Sequence, residues 1–332
     1  MTRKAGMRRL WIRTEASAEI GMGHFMRCFA LAEAARLRGH EVTFLLNAVT
    51  PAIQARLEAI GAGARIMNGA LAQDGNLLAG LEAGDWLLLD SYQVDEAYLM
   101  AQTGGAKLAV VDDLGALSGY DCDLIINPAS SAQARDYAPK TKASLALGTE
   151  YALIRREFTR PYDVDTRAPF VTLTFGGSDP AGLSAPCAQS LHEALPDMLI
   201  RLISGPVHVH LEALLALEQK LDRLKIIVSP SGLAQVLAGS ALVVTAAGGS
   251  VAEIAAVGLP ALVLVVYDNQ AAILDACPYP VIDVRTGLPD DLGARVTGML
   301  ADKRGLVDMA ARAHASYDGR GTARILDIMD KK

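Results

Sequence analysis

The sequence predicts an α/β protein built from two doubly wound domains. Strand-like and helix-like segments alternate along nearly the whole chain, and the strand-like runs are continuously apolar, as in parallel strands covered on both faces. A polar stretch with two prolines, residues 155–169, separates these runs into two groups of six. The length of 332 residues also fits two domains of ordinary size.

The strand-like runs follow one another in a regular order. In the first half they are residues 10–13, 42–46, 64–67, 86–90, 108–112 and 124–126, and in the second half residues 170–175, 199–203, 225–228, 242–245, 261–266 and 281–283. Helix patterns lie between most of them, including one from Phe25 to Arg38 that stops at Gly39. We therefore predict an N-terminal Rossmann-like domain over residues 1–158, a C-terminal Rossmann-like domain over 159–310, and a helical segment over 311–332.

Composition excludes several classes of function. The net charge of −6 and the lack of a dense Lys/Arg block argue against a nucleic-acid surface. The longest apolar segment, residues 254–267, is interrupted by Gly258 and Pro260 and is too short to span a bilayer, so we expect no stable membrane association. The four cysteines lack metal-ligand spacing and fit reduced thiols in a cytoplasmic protein.

A glycine-rich segment with a histidine follows the first strand-like run. Residues 20–27 read Ile-Gly-Met-Gly-His-Phe-Met-Arg and open the first helix pattern. Such a turn lets backbone amides approach an anion at a helix N-terminus, and the imidazole of His24 can move protons near neutral pH. The combination indicates chemistry on a phosphorylated or nucleotide-linked substrate. The alternative is that the glycines only permit tight packing and that His24 is structural.

A dinucleotide site fits this segment less well. That fingerprint has a third glycine where this chain has Met26, and an acidic residue at the end of the next strand, where this chain has Asn47. We therefore expect no dinucleotide cofactor.

Two further Gly-Gly-Ser segments follow strand-like runs in the second half, at residues 176–178 and 248–250. Their backbone amides can bind a diphosphate, and Glu253, one helical turn after the second segment, can accept both hydroxyls of a ribose. A structural alternative exists, because Ser250 and Glu253 have the Ser-x-x-Glu spacing of a capping box.

A third strand end in the second half carries amide side chains. Tyr267-Asp268-Asn269-Gln270 follows the run that ends at residue 266. Asn269 and Gln270 suit the hydroxyls of a sugar, although an asparagine here can equally cap a helix.

In this order, the segments resemble the GT-B group of nucleotide-sugar enzymes. More closely, the chain resembles the UDP-2,4-diacetamido-2,4,6-trideoxy-β-L-altropyranose hydrolases of pseudaminic acid biosynthesis. Further matching segments are Ile12-Arg13-Thr14, Arg38-Gly39-His40-Glu41-Val42, Leu89-Asp90-Ser91-Tyr92, Val111-Asp112-Asp113, Leu147-Gly148, residues 151–155 and Asp318-Gly319-Arg320-Gly321. Together they extend the resemblance along nearly the whole chain.

This resemblance implies a fold, a reaction and a set of site residues. The fold is GT-B, with two Rossmann-like domains facing a central cleft. Water attacks the anomeric carbon of a UDP-sugar with inversion, His24 is the general base, and Tyr92 positions the water or the sugar. Alternatively, Tyr92 is a half-buried aromatic at a strand end. The residues implied to bind the substrate are Gly21, Gly23, Arg27, Asp90, Gly176, Gly177, Ser178, Gly248, Gly249, Ser250, Glu253, Asn269 and Gln270.

No metal and no other cofactor is expected for this reaction, because UDP is a good leaving group and helix amides can stabilise its charge. Two acidic pairs, Asp121-x-Asp123 and Asp163-x-Asp165, have the spacing of a metal-diphosphate motif. The first pair opens a strand and the second lies in the polar stretch, so we interpret both as solvated turn residues.

The chain departs from the family pattern in two places that should face the sugar. Pro128-Ala129-Ser130 stands where a polar amide pair is usual, and residues 271–274 and Cys277-Pro278 stand where another asparagine and a glycine are usual. The identity of the sugar is therefore left open. A GT-B glycosyltransferase that uses a hydroxyl acceptor is the main alternative, and a nucleotide-binding protein without turnover is a second.

Overall fold

The computed structural model describes residues 8–15, 22–162, 170–205, 208–230, 232–274 and 276–331. The chain divides into two compact units. The first unit contains the residues up to Arg156 together with those from Arg320 onward, and the second unit is Glu157–Gly319.

Within the described residues, the first unit contains a seven-stranded parallel sheet in the order β3-β2-β1-β4-β5-β6-β7. Its strands are β1 Arg9–Thr14, β2 Glu41–Leu46, β3 Gly63–Ile66, β4 Trp86–Asp90, β5 Lys107–Val111, β6 Leu124–Asn127 and β7 Ser144–Leu147. Its first four helices are α1 Gly23–Leu37, α2 Pro51–Ile60, α3 Glu96–Ala101 and α4 Ala134–Tyr137.

The second unit repeats this winding with six parallel strands, again among the described residues, in the order β10-β9-β8-β11-β12-β13. The strands are β8 Phe170–Thr174, β9 Leu199–Ser204, β10 Leu224–Val228, β11 Leu242–Ala246, β12 Ala261–Val265 and β13 Val281–Asp283. The helices are α5 Ser184–Ala194, α6 Leu211–Glu218, α7 Leu233–Leu237, α8 Gly249–Ala256, α9 Leu292–Ala301 and α10 Lys303–Ser316.

The apolar runs form strands because both faces of each sheet are covered. In β4, the side chains of Trp86 and Leu88 enter the core beneath α1, whereas Leu87 and Leu89 enter the core on the opposite face. Side chains alternate between the faces of a strand, so a strand buried on both faces must be apolar at every position. The predicted double winding is therefore confirmed.

One strand was not predicted. β7 reads Ser-Leu-Ala-Leu, lies at the edge of the first sheet and is mostly half-buried. A short edge strand needs no continuous apolar run, which removes the signal that marks the other strands. The first helix also differs from its predicted start at Phe25, because it begins at Gly23 and includes His24.

The last helix, α11 Gly321–Lys331, returns to the first unit rather than extending the second. Ile325, Leu326 and Met329 are buried in the core beneath α1. A side chain at Gly321 would lie 2.2 Å from the carbonyl oxygen of Ala152, so only glycine fits this approach. The expected helical segment over 311–332 is thus divided, with α10 in the second unit and α11 in the first.

Each unit has its own topological switch point. In each sheet the order reverses between the first strand and the fourth, at β1/β4 and at β8/β11. Ligands of doubly wound domains bind beyond the carboxyl ends of the strands at this place. The segments after β1 and β4, and after β8 and β11, are therefore where functional side chains should gather.

Candidate functional site

The first turn of α1 brings His24 next to the end of β4. The imidazole is mostly buried, and its Nδ1 lies 3.6 Å from Oδ1 of Asp90. Among the described residues this nitrogen has no hydrogen-bond partner. Buried polar atoms are normally paired, and catalytic hydrogen bonds are often long before substrate binds. A small movement would make Nδ1–H donate to Asp90, which leaves Nε2 as the basic nitrogen.

Arg27 holds two carboxylates at the same strand ends. Its Nε and Nη2 donate to the two oxygens of Asp90, each at 2.6 Å, and its Nη1 donates to Oδ2 of Asp113 at 2.5 Å. Burial lowers the pKa of Arg27, but Asp90 and Asp113 offset this effect, and the pKa rises well above its usual value. The family resemblance implies that Arg27 and Asp90 bind substrate. In the structure these two side chains bind each other beside His24.

Cys28 adds a third contact to Asp90. Its buried Sγ lies 3.2 Å from Oδ2 of the carboxylate and donates to it. Burial and the charge of Asp90 raise the pKa of Cys28 well above its usual value, so it remains a thiol. Asp90 therefore accepts from Arg27 and Cys28 and cannot turn away from His24 without losing these bonds.

Tyr92 forms the exposed side of this cluster. Its ring meets the His24 ring edge to face, with the centroids 4.6 Å apart and an interplanar angle of 83°. Its hydroxyl donates to Oδ2 of Asp113 at 3.2 Å, and half of the side chain is open to solvent. His24 and Tyr92, the two predicted catalytic residues, thus lie in direct contact.

Asp113 and Glu15 belong to the same cluster, although no role was predicted for them from the sequence. Glu15 accepts from the hydroxyl of Ser91 at 2.6 Å and from the side-chain amide of Gln93 at 2.9 Å, and so braces the segment that carries Tyr92. Glu15 directly follows β1, which borders the switch point, and Asp113 is the second residue after β5, the neighbour of β4. Strand order, which the sequence did not supply, was the missing signal.

A second carboxylate, Asp112, organises the segment after β5. It accepts from the hydroxyls of Tyr120 and Tyr137 at 2.5 and 3.1 Å, and from the backbone amides of residues 114 and 115. Burial, reinforced by the charge of Asp112, raises the pKa of both tyrosines. Asn127, which precedes one of the departures from the family pattern, donates to Tyr137 at 2.8 Å. This network holds residues 112–120 in place.

In the second unit, backbone conformation, close packing and a buried carboxylate fix the segment between β8 and α5. Gly176 has φ +83°, and a side chain at Gly205 would lie 2.2 Å from the carbonyl oxygen of Gly177. The Asp179 carboxylate accepts from the amides of Leu183 and Ser184 at 3.1 and 2.8 Å. The amide of the N-cap residue and the first amide of α5 are thus occupied by a side chain of the protein. Ser178 is buried in the same segment.

His208 supports Asp179 from the neighbouring strand end. Its Nδ1 accepts from the backbone amide of His210 at 3.1 Å, so in the neutral ring Nε2 carries the proton. Nε2 lies 3.5 Å from the Asp179 carboxylate and 3.3 Å from the hydroxyl of Ser184. These contacts keep Asp179 at the start of α5.

The start of α8 differs from that of α5. The capping box, which was the structural alternative for Ser250 and Glu253, does not form, because the cap residue is Gly248, no side chain caps the helix, and Ser250 lies inside the first turn. Gly248 and Gly249 have no positive φ, and a side chain at either would meet no described atom within 4 Å. Neither turn geometry nor packing explains these two glycines. Open backbone at a helix N-terminus is what a bound anion requires.

The segment after β12 has a partly structural role. The side-chain oxygen of Gln270 accepts from the amides of Val266 and Tyr267 at 2.9 and 3.3 Å, so only its NH₂ group remains to donate elsewhere. Arg285 links Asp268 to Asp283, with Nη1 donating to Asp268 at 2.7 Å and Nη2 to Asp283 at 2.6 Å. The side chain of Asn269 is outside the described part of the structure, as is Gly21.

The described residues contain neither a metal-binding cluster nor a membrane-spanning helix. Among the described residues, no group of three His, Cys, Asp or Glu side chains is arranged to hold a metal ion. The second acidic pair of the sequence, at residues 163–165, is outside that range. No helix within the described ranges has the length and apolar character needed to cross a bilayer.

Comparison with solved structures shows the fold. MurG of Acinetobacter baumannii aligns over 98% of this chain and all of that chain, with a TM-score of 0.64 and 14% identity. Anabaena Alr3699/HepE in complex with UDP-glucose aligns over 98% of this chain and all of that chain, with a TM-score of 0.63 and 14% identity. A putative UDP-N-acetylglucosamine 2-epimerase of Listeria monocytogenes aligns over 98% of this chain and 96% of that chain, with a TM-score of 0.60 and 16% identity. The GT-B fold of two Rossmann-like domains is therefore confirmed.

Comparison of sequences does not assign the chain to a family. No protein-family model matches the chain. The uncharacterized protein MJ1062 of Methanocaldococcus jannaschii is 23% identical over 275 residues, which are 77% of this chain and 55% of that protein. The chain thus spans about half the length of this relative.

Proposed function

We propose that this protein hydrolyses a UDP-linked diacetamido-trideoxy sugar in nonulosonic (pseudaminic-type) acid biosynthesis. The anomeric C–O bond breaks, and free sugar and UDP are released. The resemblance along the chain supports this reaction, and so do structural neighbours that were solved in complex with UDP-glucose or UDP. We also propose that the protein is cytoplasmic and that the reaction needs no metal and no cofactor.

One observation carries the catalytic assignment: the unpaired, buried Nδ1 of His24 faces Asp90 at 3.6 Å. When this nitrogen carries the proton and donates to Asp90, Nε2 of His24 can take a proton from water. The water oxygen bonds to the anomeric carbon, and the electron pair of the C–O bond leaves with UDP. Tyr92, in contact with the His24 ring, would position the water or the sugar.

The second unit would hold the nucleotide. The open backbone at Gly248 and Gly249, followed by Ser250, supports diphosphate binding at the start of α8. The start of α5 is less suitable, because the negatively charged Asp179 already accepts from the N-cap amide and from the first amide of the helix. Gly176, Gly177 and Ser178 are then proposed to shape the nucleotide site rather than to bind phosphate through α5.

Turnover in ¹⁸O-labelled water tests the bond that breaks. With no acceptor and no metal added, we expect label on the anomeric hydroxyl of the free sugar and none in UDP. The sugar should first appear with inverted configuration, because one base and one water give a single displacement. Mass spectrometry and NMR of the products measure both properties.

Two other outcomes of this experiment contradict the proposal. Label in UDP would mean attack at phosphorus and would exclude His24 as a base acting at the sugar. A requirement for an alcohol acceptor would move the protein to the glycosyltransferase class. A control reaction without enzyme, under the same conditions, measures the spontaneous release of UDP from the UDP-sugar.

Glu253 provides a test of the nucleotide site. We expect Glu253→Ala to weaken UDP binding, because the carboxylate is proposed to accept both ribose hydroxyls. Since α8 has no side-chain cap, the substitution should not incur the ~0.5–2 kcal/mol loss typical of a cap residue. Calorimetric titration with UDP beside a thermal melt measures the two effects. Glu212→Ala on α6 is the control, and equal UDP affinity in both variants would remove Glu253 from the site.

A further inference from the structure

A pocket of about 100 Å³ lies beside the candidate catalytic residues of the first unit. Tyr92 and Asp113, which contact His24 and Arg27 respectively, both line it. The pocket is formed by the segments after β4 and β5, on one side of the switch point. It is therefore continuous with the place where the proposed reaction occurs.

The pocket combines apolar walls with carboxylates. Val94 and Leu117 supply apolar surface, and residues 110 and 111 line the pocket at the end of β5. The carboxylate of Asp112 already accepts hydrogen bonds from two tyrosine hydroxyls and two backbone amides. Such a pocket disfavours an anionic group, and its compensated charge gives no strong attraction for a cation.

Asp113 has one oxygen to spare. Both of its hydrogen bonds, from Arg27 and Tyr92, fall on Oδ2, and no described residue bonds to Oδ1. A carboxylate oxygen accepts hydrogen bonds only, so a group that enters this pocket should bring an N–H or O–H donor. The apolar walls require that the same group also bring an apolar end.

We propose that this pocket binds an acylamino substituent of the sugar, with the amide N–H donating to Asp113 Oδ1 and the acyl methyl against Val94 and Leu117. The inference rests on the proposed function and adds a specificity determinant to it. A hydroxyl has the donor but leaves the apolar walls uncovered. A free amine has the donor but, as a cation, loses hydration against those walls.

Two variants change the volume of the pocket without touching the catalytic residues. Ala116 lines it from an exposed position, so Ala116→Leu reduces its volume, and Val94→Ala enlarges it. Ala138→Leu is the matched control, since Ala138 is exposed in the same unit and does not line the pocket. The probes are UDP-sugars that differ in one substituent, which is acetamido, propanamido, amino or hydroxyl.

We expect Ala116→Leu to lower kcat/KM for the acetamido sugar at least tenfold relative to the hydroxyl sugar, in the range found when a pocket rejects one methylene. Val94→Ala should shift the preference toward propanamido, while Ala138→Leu and affinity for UDP alone stay unchanged. Equal effects on acetamido and hydroxyl sugars, or a preference of the wild type for the free amine, would overturn the pocket assignment.

The failure of the proposed function is distinguishable from this result. If the wild-type protein hydrolyses none of the four UDP-sugars, the hydrolase proposal fails. The ratio of dissociation constants for the acetamido and hydroxyl sugars, measured by calorimetry, then decides the pocket assignment. A ratio that Ala116→Leu does not change would overturn it.

Discussion

Replacing His24 by alanine or asparagine is expected to slow turnover by about 10²–10⁴-fold while UDP still binds. The loss follows from removing the one imidazole that faces Asp90 and touches Tyr92. UDP affinity should persist, since the nucleotide is proposed to bind the second unit. UDP release assays give the rate, and calorimetric titration gives the affinity.

A second histidine serves as the control for this experiment. His192 on α5 pairs with Asp222 at 2.9 Å and belongs to the second unit, so His192→Asn should leave turnover unchanged. If the His24 variants retain turnover within a few-fold of wild type, His24 is not the base. A loss of UDP binding together with turnover would instead indicate a structural role.

Replacing Arg27 by methionine is expected to lower the free energy of unfolding by about 3–5 kcal/mol, because it leaves a buried carboxylate without its cation. Asp90 is 1% exposed and takes two hydrogen bonds from Arg27. Turnover should fall as well, since Asp90 is proposed to hold His24. Urea denaturation measures the first effect and steady-state kinetics the second.

A double variant and an exposed ion pair complete this test. Arg27→Met combined with Asp90→Leu removes both charges and should recover part of the lost stability without recovering activity. Arg295→Met breaks an exposed pair with Asp291 on α9 and should change stability little. A similar small change for Arg27→Met would show that the Arg27–Asp90 contact does not hold the site together.

The sequence by itself determined the two doubly wound domains, because a parallel strand that is buried on both faces needs apolar side chains at successive positions. It located twelve of the thirteen strands of the described residues and missed only the short edge strand β7. It also selected His24, since a histidine at a strand-to-helix turn is a local feature, whereas Tyr92 was implied by the family resemblance.

The position of α11 could not be read in the same way. Its apolar face is visible in the sequence, but nothing local says which of two cores it covers. The contacts of Ile325, Leu326 and Met329 with the first core, and the tight approach of Gly321 to Ala152, decide it. Both depend on residues far apart in the chain.

Only the tertiary structure decided which polar groups partner one another. The family resemblance implied that Arg27, Asp90 and Ser250 bind the substrate, and sequence spacing offered Ser250 as an alternative helix cap. The folded chain joins Arg27 to Asp90 and Asp113, places Asp179 at the start of α5, and begins α8 at Gly249. The physical reason is that periodicity reports burial of one residue at a time, whereas a hydrogen bond depends on two side chains that strand order brings together.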